Sequence, residues 1–439
     1  MFQTRRYAPS PRRHGAAVPI APELLTSSLT DREADLPPSP GPRRTRQLWP
    51  LLGPAFVTAI AYVDPGNFAT NITAGSTYGY LLVWVIIVSN LMAMLIQYLS
   101  AKAGVATGKS LPALCRDNLP RPMVRGLWVQ AELVAIATDL AEVVGGALAL
   151  KLLFDLPLLV GGTITAVVAF ALLGLKSRGH RPFEAVITGL LGVILMGFVY
   201  DIAISGVDSM AVLDGTMPRF AGTDSILIAA GMLGATVMPH AIYLHGALTS
   251  ERFRPRTEPE RRTVMRSQRI DVVAAMSIAG LMNLSLLLIA ASALSGQNID
   301  SIEGAYAGLN TNLGPASGLL FALGLLASGF ASSSVGTLSG QIVMEGFLRR
   351  RIPLTVRRLV TLLPALIIIG VGVDPTRALV LSQVVLSFGI PFALVPLIWF
   401  TRRSDLMGSL VNRRTTTIAG AIVAAMIIAL NAVLLVQLA

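Results

Sequence analysis

Residues 61–71 read AYVDPGNFATN and stand inside an otherwise apolar run, between LWPLLGPAFVTAI (48–60) and YGYLLVWVIIVSNLMAMLIQYL (78–99). An aspartate in a lipid-spanning helix is costly and turns to protein or a wet cavity. The proline beside it removes a backbone donor and clashes with the preceding turn. Gly66 adds freedom to leave helical angles. Unwound backbone at membrane depth survives only where protein or a cavity satisfies it. The stretch therefore predicts a membrane helix broken near its middle around Asp64, Pro65, Gly66 and Asn67.

The rest of the chain supports that setting. Of 439 residues, 53% are hydrophobic and only 13% charged, and the mean hydropathy is +0.67. A soluble domain carries about 25% charged residues. Apolar runs of about 20 residues recur, each long enough to cross a bilayer core as a helix. Continuous apolar runs exclude a transmembrane barrel, whose strands alternate. The lone Cys115 excludes an internal disulfide and any multi-cysteine metal site.

Eleven spans are expected, at 50–78, 80–103, 124–150, 157–175, 183–204, 223–249, 271–294, 314–347, 357–373, 376–400 and 416–438. With the N-terminus cytoplasmic and the C-terminus external, all but Lys151, Arg219 and Arg377 of the 35 basic residues fall on the inner face, as the positive-inside rule requires. The net charge of +11 is thus topological and implies no nucleic acid. Residues 1–48, rich in proline and arginine, read as a disordered cytoplasmic tail without the apolar core of a signal peptide.

A second break is expected in span six, at Val237-Met238-Pro239-His240-Ala241. A single proline makes an ordinary kink. Two broken spans five apart mark an inverted repeat, spans one to five (49–204) against six to ten (223–400), with 416–438 accessory. Asp64 offers a charged oxygen, Asn67 a neutral one, Ala61 and Ala235 backbone carbonyls, and Met238 a thioether. Oxygen donors alone suit Mg²⁺, Ca²⁺ or Mn²⁺, whereas a thioether favours softer transition metals. The mixed set points to Mn²⁺ or Fe²⁺ as cargo, selected against Mg²⁺ and Ca²⁺. Methionine is more often core packing; position alone singles out Met238.

These two motifs, DPGN and MPH, with ASSSVGTLSGQIVMEGF at 331–347, resemble the Nramp family of proton-coupled divalent-metal transporters, its bacterial manganese branch in particular. The resemblance runs from about residue 49 to 439. It implies an all-α polytopic membrane protein with a LeuT-like 5+5 inverted repeat and discontinuous helices one and six. It implies Asp64, Asn67, Met238 and the Ala61 or Ala235 carbonyl as metal ligands, with Gln383 of LVLSQVVLSFG joining on occlusion. It further implies Mn²⁺ and Fe²⁺ as cargo, with Cd²⁺, Co²⁺ and Zn²⁺ as further candidates, imported through the cell (inner) membrane with protons and no resident cofactor.

In span three, VQAELVAIATDLAEVVGG, the residues Glu132, Asp139 and Glu142 are spaced seven and three apart and share a helix face. His240 follows Pro239 and titrates near neutrality in its free form. The resemblance implies a proton route from Asp64 through His240 and Glu142 to Asp139, with Arg357 and Arg358 at its cytoplasmic end. The alternative is a structural ion-pair network, foremost at Glu132. His245 is read as a gating or satisfied polar residue, and Gly53 and Gly66 as hinges. Asn90, Asn283 and Asn431 are expected to bond between helices. Asp271 is expected to make an ion pair in a loop. The rival functions are a sodium-coupled amino-acid transporter of the same fold, a magnesium transporter and a channel. An aspartate at the break repels a substrate carboxylate, and no nucleophile–base pair or phosphate loop suggests an enzyme.

Overall fold

The computed structural model of the chain describes residues 53–174, 180–297, 299, 301–350 and 352–438. The tail expected at 1–48 lies outside them. All regular structure among the described residues is helical. In chain order the helices are α1 (Pro54–Ala59), α2 (Pro65–Tyr78), α3 (Val83–Thr107), α4 (Leu111–Asn118), α5 (Arg121–Phe154), α6 (Leu158–Gly174), α7 (His180–Ile204), α8 (Ser209–Asp214) and α9 (Thr223–Thr236). Then come α10 (Pro239–Arg252), α11 (Glu258–Ala293), α12 (Ile302–Asn312), α13 (Pro315–Leu348), α14 (Leu354–Val371), α15 (Pro375–Thr401), α16 (Ser404–Met407) and α17 (Arg414–Leu438).

Among the described residues, eight helical stretches are long and apolar enough to cross a membrane, with α9 and α10 taken as one. Shorter apolar helices at Pro54–Val63, Leu158–Gly174 and Leu359–Val371 fall where spans one, four and nine are expected. The bundle is built on α5, which packs along α13 and α15, while α2 and α3 lie along α11 and α9 lies along α15. At the α5–α13 crossing, a Cβ on Gly329 would come within 2.9 Å of the Gly146 backbone. Small residues let two backbones approach where lipid supplies no hydrophobic drive.

Both breaks are helix starts rather than kinks. Asp64 (φ −86°, ψ 168°) and Met238 (φ −83°, ψ 125°) are extended, and each precedes a proline at the first helical position. A residue before proline is pushed out of the helical region, and proline at that first position costs no hydrogen bond. Asp64 adds an N-cap, its carboxylate accepting from the Asn67 amide. Before it the chain narrows to a 3-10 turn, Ile60–Val63.

Two expectations need correction. Asp271 is not in a loop. It is fully buried inside α11, which begins at Glu258. A capping box of Thr257 and Glu260 starts that helix among the arginines; hydropathy marks only the part of a helix that meets hydrocarbon. Gly66, for its part, is no unwinding point. It lies within α2, and a Cβ there would overlap the Gln383 side chain. Its small size makes room for α15.

Candidate functional site

The sequence-derived residues Asp64, Asn67, Ala61, Ala235, Met238 and Gln383 are all 1% exposed or less. Asn67 ties the breaks together. Its Nδ2 donates to Asp64 Oδ1 at 2.7 Å and to the Ala235 carbonyl at 3.0 Å. The Asn67 backbone amide donates to the same carboxylate oxygen at 2.8 Å. Gln383, on α15, approaches the other oxygen, Nε2 to Asp64 Oδ2 at 3.4 Å. Asn67 Oδ1 and Gln383 Oε1 are buried with no hydrogen-bond partner among the described residues. Ala61 sits in the 3-10 turn, and Met238 occupies the extended position between α9 and α10.

Interruption of the helix frees carbonyls, and buried carbonyls need donors. The Val63 carbonyl accepts from Ser328 Oγ of α13 at 2.6 Å, and the Tyr62 carbonyl from Asn283 Nδ2 of α11 at 2.7 Å. Asn71 Nδ2 in turn donates to Asn283 Oδ1 at 2.9 Å. At the start of α10 the His240 carbonyl, already inside the helix, also accepts from Ser339 Oγ at 2.7 Å. Asn283 thus bonds between helices as expected, and Asn431 does the same with Ser387 of α15. Ser328 and Ser339 carried no sequence signal: serines are common in this helix, and only packing shows which two face the breaks.

The span-three carboxylates line up along α5. Asp139 and Glu142 are buried, and Glu142 lies against α13, where a Cβ on Gly336 would sit 2.8 Å from its Oε2. One turn on, a Cβ at Gly145 would overlap the ring of Pro65. The carboxylate series therefore reaches the first break. His240 is buried beside Thr138, the neighbour of Asp139 in α5, Nδ1 to Oγ1 at 3.3 Å. At the other end Arg357 grips Glu132 with two bonds, Nη1–Oε1 at 3.2 Å and Nη2–Oε2 at 3.0 Å. Trp128 Nε1 also donates to Glu132, at 3.2 Å. Arg358 is in α14, and its side chain lies outside the described residues.

Beyond the break toward the basic face, Gln97 Nε2 donates to Tyr62 Oη at 2.5 Å, and Gln97 Oε1 lies 2.9 Å from His245 Nδ1. Asp271 accepts from the amides of Gly53 (3.1 and 3.2 Å) and Ala55 (3.0 Å), capping α1. Gly53 has φ 139°, which favours glycine, and a Cβ there would meet Glu184 at 2.8 Å. Glu184 itself pairs with Arg252 at 2.5 Å. Nothing along the chain joins Asp271, Glu184, Arg252, Gln97 and Tyr62 in advance. They are distant in sequence and share no motif.

Among the described residues no group of three His, Cys, Asp or Glu side chains is placed to hold a metal. The contacts instead bring together one carboxylate, two side-chain amides and the Ala235 carbonyl, with Met238 and Ala61 buried at the two breaks themselves. A buried polar site between two interrupted helices in an apolar bundle defines a membrane transporter of the discontinuous-helix class. The chain belongs to the Nramp family: the family model described as "Natural resistance-associated macrophage protein-like" matches residues 55–437. It is 53% identical over 398 residues to the Bacillus subtilis divalent metal cation transporter MntH, covering 90% of this chain and 94% of that one. Among solved structures it resembles the Eremococcus coleocola manganese transporter, with TM-score 0.81, 32% identity, and coverage of 90% and 88%. The nucleobase-cation-symport transporter Mhp1, at TM-score 0.58 and 16% identity with coverage of 87% and 89%, shares the fold.

Proposed function

We propose that this chain imports divalent transition metal ions, Mn²⁺ and Fe²⁺ foremost, by alternating access, with protons coupled through its own carboxylates. One observation carries the reading. The Asn67 amide nitrogen sits between two acceptors, Asp64 Oδ1 and the Ala235 carbonyl, while Asn67 Oδ1 and Gln383 Oε1 are buried and unpartnered. A cation in that place draws on every one of these oxygens once the Asn67 amide turns over. Met238 adds a soft donor that Mg²⁺ and Ca²⁺ do not use. The names of the Bacillus and Eremococcus relatives point the same way.

Asp64 binds metal as the carboxylate, so binding releases a proton. The series His240, Glu142, Asp139 and Glu132–Arg357 gives that proton a path toward the basic face, with Arg358 at the same end. The chain is read as eleven crossings of the cell membrane, N-terminus cytoplasmic and C-terminus external, with 49–204 and 223–400 as inverted repeats. Gln383 closes the site from α15. The α1 segment, pinned by Asp271 at Gly53 and by Gln97 and His245 through Tyr62, is the part that releases toward the cytoplasm. Pro65 and Pro239 fix where each broken helix restarts.

Uptake into proteoliposomes tests this. Mn²⁺ uptake by the native chain should resist competition from Ca²⁺ and Mg²⁺, and Met238→Ala should lose discrimination against Ca²⁺. Asp64→Ala should abolish saturable uptake. Strong Mg²⁺ transport by the native chain, or saturable Mn²⁺ uptake by Asp64→Ala, would overturn the assignment.

A further inference from the structure

A second feature lies outside the transport site. Between the start of α5 and the end of α15 runs an open cavity of about 1210 Å³, walled chiefly by apolar side chains including Met123, Leu133, Phe392 and Val395. From Pro120 to Leu133 the α5 wall is roughly 20 Å long. That is enough for an acyl chain, which covers half of a hydrocarbon core of about 30 Å.

The mouth is polar and basic. Asn118, Arg125 and Trp399 line the groove. Arg403 stacks over the Trp399 ring at 5.3 Å and donates to Asn118 Oδ1 at 3.2 Å. Asp405 takes up the Arg403 charge. Arg125 is exposed, and no ion pair among the described residues holds it. It is the cation the mouth has to offer. Tryptophan at this level suits the headgroup boundary.

A second, independent observation lies deeper. Gln130 lines the groove, and both of its amide atoms are buried without a hydrogen-bond partner among the described residues. It lies at the α5–α15 crossing, where a Cβ on Gly389 would come within 2.8 Å of its Nε2. A buried unpaired amide is costly, and turned toward the groove its Nε2 would donate to an ester or phosphate oxygen of a ligand below a charged head.

We infer that this groove is a binding site for an anionic phospholipid of the leaflet at the arginine-rich face, its phosphate on Arg125, its glycerol esters within reach of Gln130 and one acyl chain along Leu133 and Phe392. An apolar trough with a free cation at its mouth complements an amphiphile with a negative head.

The site carries its own reporter, Trp399. The full chain is placed in nanodiscs containing brominated phosphatidylglycerol or brominated phosphatidylcholine at equal mole fraction. The Trp399 signal is obtained by difference from Trp399→Phe. Quenching by the anionic lipid should exceed that by the zwitterionic one, and Arg125→Gln should reduce the preference by about fivefold, the weight of one basic residue near a charged surface. Gly126→Phe should also abolish it by filling the groove: Gly126 lines the groove, and a Cβ there meets nothing within 4 Å, so the variant should fold. Equal quenching by the two lipids in the native chain, or retention of the preference in either variant, would overturn the inference.

Discussion

Gly66→Ala is the sharpest test of how the site closes. A Cβ at residue 66 finds its three nearest atoms all in Gln383, and all of them closer than a real contact allows. Two outcomes are physically open to the chain, since α2 is anchored by its N-cap and α15 by its packing. Either the helices separate, or Gln383 swings out of the site. Side-chain eviction is the cheaper, and it removes the approach of Gln383 to Asp64, a long bond of 3.4 Å. It also removes the unpartnered Gln383 oxygen from the cargo's reach. Losing one weak hydrogen bond and one neutral ligand costs about 1–2 kcal/mol, or roughly 5- to 30-fold in a rate or affinity. The helix itself gains by about 0.5–1 kcal/mol from alanine over glycine, which offsets part of that loss, so thermal stability should fall by no more than about 1.5 kcal/mol. The assay is initial Mn²⁺ uptake in proteoliposomes for Gly66→Ala, Gln383→Ala and the double variant. If the added methyl acts by evicting Gln383, all three slow by a similar factor, because the second change removes what is already gone. Independent effects would multiply. A double variant slower by the product of the singles, or a Gly66→Ala protein at native rate, refutes the reasoning.

Other substitutions probe the supports of the site. Asp271→Ala strips the acceptor from the Gly53 and Ala55 amides and should cost about 1–2 kcal/mol of helix-cap stability; a thermal melt of the purified protein should show a lower midpoint, with Asp271→Asn closer to native. Arg357→Gln leaves Glu132 without its two-pronged partner. Breaking a buried pair costs about 3 kcal/mol, whereas removing both charges is far milder, so the Glu132→Gln, Arg357→Gln double variant should melt nearer to native than Arg357→Gln alone. Ser328→Ala orphans the Val63 carbonyl; a loss of about 1–3 kcal/mol is expected from one buried unsatisfied group, read again as a lowered melting midpoint, and an unchanged midpoint would show that water replaces the serine.

What the sequence determined, it determined through rules that act over a few residues. Apolar runs marked the long helices, and the Asp-Pro and Met-Pro pairs marked the breaks, because the residue before a proline leaves the helix whatever surrounds it. Even the N-cap role of Asp64 is local, reaching only to Asn67. The family followed from the same short motifs. Tertiary structure alone decided what meets at the breaks. Asn67 and Ala235 are 168 residues apart and Gln383 and Asp64 are 319. No local preference links such pairs. They meet because freed carbonyls and a buried carboxylate must find donors in a medium without water, and only the packing of α11, α13 and α15 fixes which side chains arrive. The same holds for Gly66, read from its type as a point of flexibility and found to be a space kept open for a neighbour. Residue type states what a glycine permits, and the surrounding helices decide which of its properties is used.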